Sequence, residues 1–195
     1  MLLRLRLVRG WEGAEKMKDF NLIVTTQRGN ERACVREFIN MVSAVQGPEI
    51  SLRRTRFPGL LLGRVDGDPV ALCRSLSALA EDDPWGVRFV QRAIPIQVNV
   101  DANVGTIKEA VGSVAKGIPE GSSFKIEVTK RGSDLSSSEI IKESASMVQR
   151  RVNLESPAYT VRVEIVDERA GIALLTDQDL LSVTKLQENA MKESG

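Results

Sequence analysis

FKIEVTKRGSDLSSSEIIKESASMVQRRVNLESPAYTVRVEIV, residues 124–166 of a 195-residue chain, is the stretch on which the fold turns. Phe124, Ile126 and Val128 alternate with Lys125, Glu127 and Thr129, the period-two signature of a strand with one apolar face. Lys130-Arg131-Gly132-Ser133 then breaks the alternation with a turn. Ser136-x-x-Glu139 has capping-box spacing, a hydroxyl for the first free N–H groups and a carboxylate that can reach back. The helix it opens is expected to bury Ile141, Ala145, Val148 and Val152, to show Lys142, Glu143 and Gln149 to solvent, and to end on Arg150-Arg151. Thr160–Val166 alternates again, with Val161, Val163 and Ile165 inward. Strand, helix and strand in that order predict an α/β unit.

Working outward, Thr106-x-x-Glu109 is a second capping-box spacing. It predicts a helix with Ile107, Val111, Val114 and Ala115 inside, ended by Gly117, Pro119 and Gly121. After residue 166, Gly171–Thr176 reads as a strand and Asp177–Ala190 as a terminal amphipathic helix. These elements form one unit, residues 101–190.

Residues 19–100 form another. Phe20–Thr26 is an apolar, β-rich strand, and Gln27-Arg28-Gly29-Asn30 turns it into a helix with Asn30 as N-cap and Cys34, Phe38, Met41, Val42 and Val45 on one face. Glu49–Arg56 and Leu60–Val65 are strands joined at Pro58-Gly59. Asp68-Pro69 starts a second helix, and Trp85–Val100 returns as one or two strands. The order β-α-β-β-α-β predicts the split-βαβ, ferredoxin-like arrangement with both helices on one sheet face. Residues 1–18 fit neither unit; the expectation is a leader that is not native or not ordered, with Met17 as the native start.

Composition bounds the chemistry. Hydrophobic residues make up 42% and charged ones 27%, the balance of a soluble globular protein, with a net charge of +1. Residues 1–98 carry fifteen Lys/Arg against eleven Asp/Glu, and residues 99–195 twelve against fifteen, so cationic character is concentrated in the first half. Histidine is absent, which removes Ser-His and Cys-His catalysis and most zinc and iron sites. Cys34 and Cys73 stand alone in apolar helical patterns and read as buried thiols. Phosphate-loop and dinucleotide fingerprints are missing, so no catalysis, metal or cofactor is expected. No apolar run approaches a membrane span, and a cytoplasmic location is expected by default.

Both units repeat one device. Thr26-Gln27-Arg28-Gly29-Asn30 and Thr129-Lys130-Arg131-Gly132-Ser133 each lead from strand through Arg-Gly to a polar residue and a helix. Free N–H groups of a first helical turn attract anions, and an adjacent Arg or Lys adds charge, so each corner could hold a phosphate. Gly132, Ser133 and Ser137 would complete the second corner. Each corner is equally a strand-to-helix turn with solvated cations. Arg54 and Arg56, sharing a strand face, read either as edge protection or as phosphate contacts. Arg150 and Arg151 either complement a helix dipole or join the phosphate set.

FKIEVTKRG, the helix that follows, and Val152-x-Leu154-x-x-Pro157-x-x-x-Val161-x-Val163-x-Ile165 resemble the THUMP domain. LIVTTQRGNE, Arg54-Thr55-x-x-Pro58-Gly59, Asp68-Pro69 and Val90-Gln91-Arg92-Ala93-Ile94-Pro95-Ile96 are similar to the ferredoxin-like domain of stand-alone tRNA acetylation adaptors. The resemblance implies binding of tRNA at its acceptor stem and 3′ end. It further implies presentation to a separate cytidine acetyltransferase, with no catalysis by the adaptor itself. The residues expected to bind RNA are Lys130, Arg131, Gly132, Ser133, Ser137, Arg28, Arg54, Arg56, Arg150 and Arg151, and the resemblance favours the Lys130–Ser133 corner among them. The rival readings are a small-molecule or protein-binding regulatory module and a detached RNA-binding subunit of another tRNA-modifying enzyme.

Overall fold

The apolar run that opens the first unit becomes a short central strand with Leu22, Ile23 and Val24 buried. The computed structural model of the chain describes residues 19–193, so the leader expected over residues 1–18 lies outside them. Leu22–Thr25 (β1) is followed by Glu31–Ala44 (α1), Ile50–Arg54 (β2), Leu60–Val65 (β3), Pro69–Asp82 (α2) and Arg92–Pro95 (β4). All strand pairs of this sheet are antiparallel. Its order, β4-β1-β3-β2, is that of the split βαβ, as expected. Leu22, Val24, Leu61, Val65 and Ala93 present one sheet face to Cys34, Phe38, Leu72, Cys73 and Leu76 of the two helices. Burial pushes the Cys34 thiol up to about 12 and raises that of Cys73 as well, so neither offers a thiolate near neutral pH.

Asp68 caps α2 as its sequence promised, its carboxylate accepting from the N–H groups of Val70 (2.8 Å) and Ala71 (3.2 Å), with Pro69 in the first turn. Asp68→Ala should therefore lower stability by about 1 kcal/mol in a thermal or urea melt. Asn30 occupies the corresponding position on α1, yet its side chain makes no capping bond.

The second unit is built on Val98–Asp101 (β5), Val104–Val114 (α3), Ser123–Arg131 (β6), Ser137–Ala145 (α4), Arg151–Val152 (β7), Tyr159–Val166 (β8) and Arg169–Leu175 (β9). Its sheet order is β5-β9-β8-β6-β7, parallel where β6 meets β7 and β8, antiparallel elsewhere. Ile107, Val111, Phe124, Ile126, Ile140, Val163 and Ile172 form its core. Three local expectations are corrected. Helix α3 is capped by Asn103, whose Oδ1 accepts from the Thr106 N–H (2.9 Å), three residues ahead of the capping box read from sequence. Helix α4 ends at Ala145 and buries Ile140 and Ser144, one residue out of step from Ile141 and Ala145. Val152, expected inside, is on the short edge strand β7 and more than half exposed.

The single helix expected over Asp177–Ala190 is instead a short strand and a later helix. Leu181–Ser182 (β10) pairs with β4, and Val183–Glu193 (α5) follows it. One compact unit thus comprises the described residues through Pro95 together with those from Gln178 on, and the other is Ile96–Asp177. The sequence had placed the boundary at 100/101 and the terminal helix in the second unit. Among the described residues no helix is long and apolar enough to cross a membrane, and no group of three or more Cys, Asp or Glu side chains could hold a metal ion.

Candidate nucleic-acid interface

In the first unit, the turn after β1 forces Gly29 to φ +89°, with open space where a Cβ would stand. The hairpin between β2 and β3 closes over this turn. The Thr26 N–H donates to the Gly59 carbonyl (2.9 Å), and a Cβ on Gly59, itself at φ +76°, would meet the Thr26 carbonyl at 2.4 Å. Arg28, Arg54 and Arg56 are thereby brought to one end of the unit.

What fills that end is a carboxylate from the chain itself. Glu31, buried at the start of α1, accepts from the Gly59 N–H at 2.8 Å, and its Oε2 lies 3.5 Å from an Arg54 guanidinium nitrogen. The N–H groups of Gly59, Glu31 and Gly29, with Arg54 adding to them, hold this carboxyl below the usual carboxylate range. The corner's anion-binding groups are thus occupied internally, and Arg54 neutralises Glu31. Arg56 lies beyond the end of β2, in the turn, with its guanidinium 4.8 Å from the Phe57 ring centroid; it does not share a strand face with Arg54 as expected. Arg28 is exposed and has no hydrogen-bond or ion-pair partner among the described residues.

The second corner is also turned inward. Gly132 takes φ +68°, the Lys130 ammonium donates to the Leu135 carbonyl, and the Ser133 hydroxyl accepts a long bond from the Leu135 N–H (3.4 Å). Ser136 Oγ caps the Glu139 N–H at 3.3 Å, while Ser137 opens α4 half-buried. Arg131 lies 3.3 Å from Glu164, which is 2% exposed. Burial raises the Glu164 carboxyl above the usual range, and Arg131, then Arg162, offset part of that rise. Glu164 ends a row of alternating charge across β6 and β8. Lys125 meets Glu127 at 2.6 Å, Glu127 meets Arg162 at 2.9 Å, and Arg162 approaches Glu164 at 4.0 Å.

Arg150 and Arg151 are not part of this corner. Ser123 pairs with Arg151 and Arg131 with Val166, so the two groups sit at opposite ends of β6, roughly 26 Å apart along a nine-residue strand. Because α4 stops at Ala145, neither residue meets its dipole. Arg150 instead donates to the carbonyls of Ile118 (3.0 Å) and Gln149 (2.9 Å). Arg151 is exposed at the rim of an open depression of about 470 Å³ that Glu120, Gly121, Ser122 and Val148 also line.

Sequence reasoning passed over the exposed face of α1. Arg32 and Arg36 stand there without a partner among the described residues. It also passed over Glu37, whose carboxylate accepts from the N–H groups of Arg88 (2.8 Å), Phe89 (2.8 Å) and Val90 (2.6 Å). An acid beside Arg36 and five residues from Arg32 reads as an ordinary surface charge, and only the fold reveals its backbone donors.

Residues 101–175 match the family model described as the THUMP domain. No curated protein matches the chain. Among solved structures, PH1313 from Pyrococcus horikoshii Ot3 is 12% identical with a TM-score of 0.60, over 84% of this chain and 55% of that one. TrmN from Thermus thermophilus is 18% identical with a TM-score of 0.55, over 86% and 48%. A 4-thiouridine synthetase, solved as an RNA complex with bound ATP, is 14% identical with a TM-score of 0.53, over 84% and 42%. At these identities the likeness is one of fold, and the chain spans about half the length of the structures it matches. One expectation is overturned here. The absence of nucleotide motifs had been read as absence of catalysis, yet the same fold is found within a 4-thiouridine synthetase. Missing motifs in this stretch therefore do not mark a non-catalytic protein.

Proposed function

We propose that this THUMP-domain protein binds tRNA and presents it for chemical modification of a nucleotide. The observation that carries this reading is the THUMP match over residues 101–175, which coincides with the independently compact unit Ile96–Asp177. The fold likeness to a synthetase solved with RNA supports it. Recognition would be by backbone and shape, since RNA helices offer phosphates and 2′-hydroxyls more readily than base edges. Exposed arginines suit that task because each guanidinium can grip a phosphate with two parallel donors. For the chemistry we favour a separate cytidine acetyltransferase, on the resemblance of residues 22–31 and 90–96 to the acetylation adaptors. Copurification from the native host tests that partner; recovery of a different RNA-modifying activity would replace it.

The binding itself is tested by filter titration against total tRNA at a series of salt concentrations. The expected result is saturable binding whose log affinity falls linearly with log salt, with a slope of about −3 or steeper if four or more phosphates are neutralised. Binding that is absent at low salt, or independent of salt, would overturn the reading in favour of a small-molecule or protein-binding module.

A further inference from the structure

Helix α1 carries its charges where a purely structural helix would not. Arg32 and Arg36 are four residues apart in Glu31–Ala44, so they project from one face, and both are exposed. Like charges at that spacing repel, and cations in the first turns oppose the helix dipole. A third arginine, Arg28, stands just ahead of the helix and is exposed too.

The acids of the same helix bring no relief. Glu31 is directed inward to the Gly59 N–H and Arg54, and Glu37 to the N–H groups of residues 88–90. Among the described residues Arg28, Arg32 and Arg36 have neither a hydrogen-bond nor an ion-pair partner. Asn40, one step further along the face, is exposed as well. By contrast, Arg131 and Arg162 of the second unit are both engaged by carboxylates. A local arrangement that costs stability without an internal partner is characteristic of a binding surface.

We propose that the exposed face of α1 is an RNA-backbone contact, with Arg32 and Arg36 gripping neighbouring phosphates of one strand and Arg28 continuing the row. Four-residue steps separate the two side chains by about 6 Å along the helix axis, short enough for both to engage one strand. Asn40 adds an amide donor at the end of the row. This inference rests on the tRNA-binding reading above, and extends it from Arg28 of the first corner to Arg32 and Arg36, which neither the corners nor the THUMP match includes.

The test uses the full chain as wild type, Arg32→Gln/Arg36→Gln, Arg32→Lys/Arg36→Lys and Arg64→Gln, titrated against total tRNA at several salt concentrations. Arg64 is an exposed arginine of β3, on the sheet face away from the helices. The glutamine pair should bind at least tenfold more weakly at low salt and lower the salt slope by about two units. Its thermal midpoint should equal or exceed that of wild type, because repulsion at the helix start is relieved. The lysine pair should keep most of the slope, and Arg64→Gln should leave it unchanged. If wild type binds and the glutamine pair binds with the same slope, the α1 contact is overturned while tRNA binding stands. An equal loss with Arg64→Gln would overturn it in favour of a diffuse charge effect. Weaker binding with a lowered midpoint that lysine does not restore would assign the pair to structure. Absence of wild-type binding would overturn both.

Discussion

Replacing Arg131 by alanine is expected to lower stability by about 2–3 kcal/mol at neutral pH, and by less in mild acid. The reason is Glu164, which is 2% exposed and lies 3.3 Å from the Arg131 guanidinium. Removing one partner of a buried pair strands the other charge. The expected cost falls below the roughly 3–5 kcal/mol of a fully buried pair because Arg131 is itself partly exposed and Arg162 remains 4.0 Å from Glu164. The pH dependence follows from proton linkage. Burial already raises the Glu164 carboxyl, so the folded protein holds a proton in a window where the unfolded chain has lost its own. Stability falls as pH rises through that window, which opens at the ordinary carboxylate range and closes at the raised value. Without Arg131 the window extends further upward, so the penalty grows from acid to neutral pH. Urea melts at two pH values measure it; an equal loss at both would remove Glu164 as the cause. The variant Arg131→Ala/Glu164→Gln then separates two roles. It should recover most of the stability, and if it also binds tRNA like wild type, Arg131 contributes through folding alone. A salt slope still one unit shallower would keep Arg131 among the phosphate contacts.

Glu37→Ala should cost about 3 kcal/mol, because three charge-assisted bonds to consecutive backbone N–H groups disappear together. Those bonds fix residues 88–90 against α1, and β4 begins two residues later. For a chain of this length the thermal midpoint should drop by about 6–12 °C. Glu37→Gln keeps one acceptor oxygen and should lose roughly half as much. Amide hydrogen exchange at residues 88–90 should accelerate in the alanine variant before exchange elsewhere in the sheet. A midpoint within about 2 °C of wild type would mean that the loop is held by the packing of Val87 and Val90 instead.

The comparison of sequence with structure separates what short-range patterns encode from what they omit. Alternation in FKIEVTKR and VRVEIV, and the Asp68-Pro69 start signal, were legible because strand period and helix capping act within a few residues. The end of α4 was not. SASMVQRR continues an apolar periodicity, whereas in the fold α4 ends at Ala145 and Arg150 makes a tertiary bond to the Ile118 carbonyl that no local pattern encodes. The candidate site was legible as a list of cations and not as a distribution of partners. Arg131 is committed to an acid thirty-three residues ahead on a neighbouring strand, and Arg54 to one twenty-three residues behind on a helix. The strand alternation that put Val163 and Ile165 inward assigns Glu164 to the wet face, yet that position is buried. Conversely, Arg32 and Arg36 looked ordinary because solvent-facing charge is the rule on a helix; their distinction is that both nearby acids face away.

The pairing of β10 with β4 has a kinetic consequence. Leu181 opposes Ala93, so the second unit is interposed between two strands that must lie side by side. Closing so long a loop from an unfolded chain carries a large entropic cost. Once the second unit has folded, β5 and β9 hold its two ends together, Val98 opposite Ile172, and the loop left to close is only a few residues at each end. The later unit in the chain thus acts as a clasp for the earlier one. Its folding should come first, and mutations that loosen its β5–β9 seam should slow the final docking of β10 and α5 without touching either.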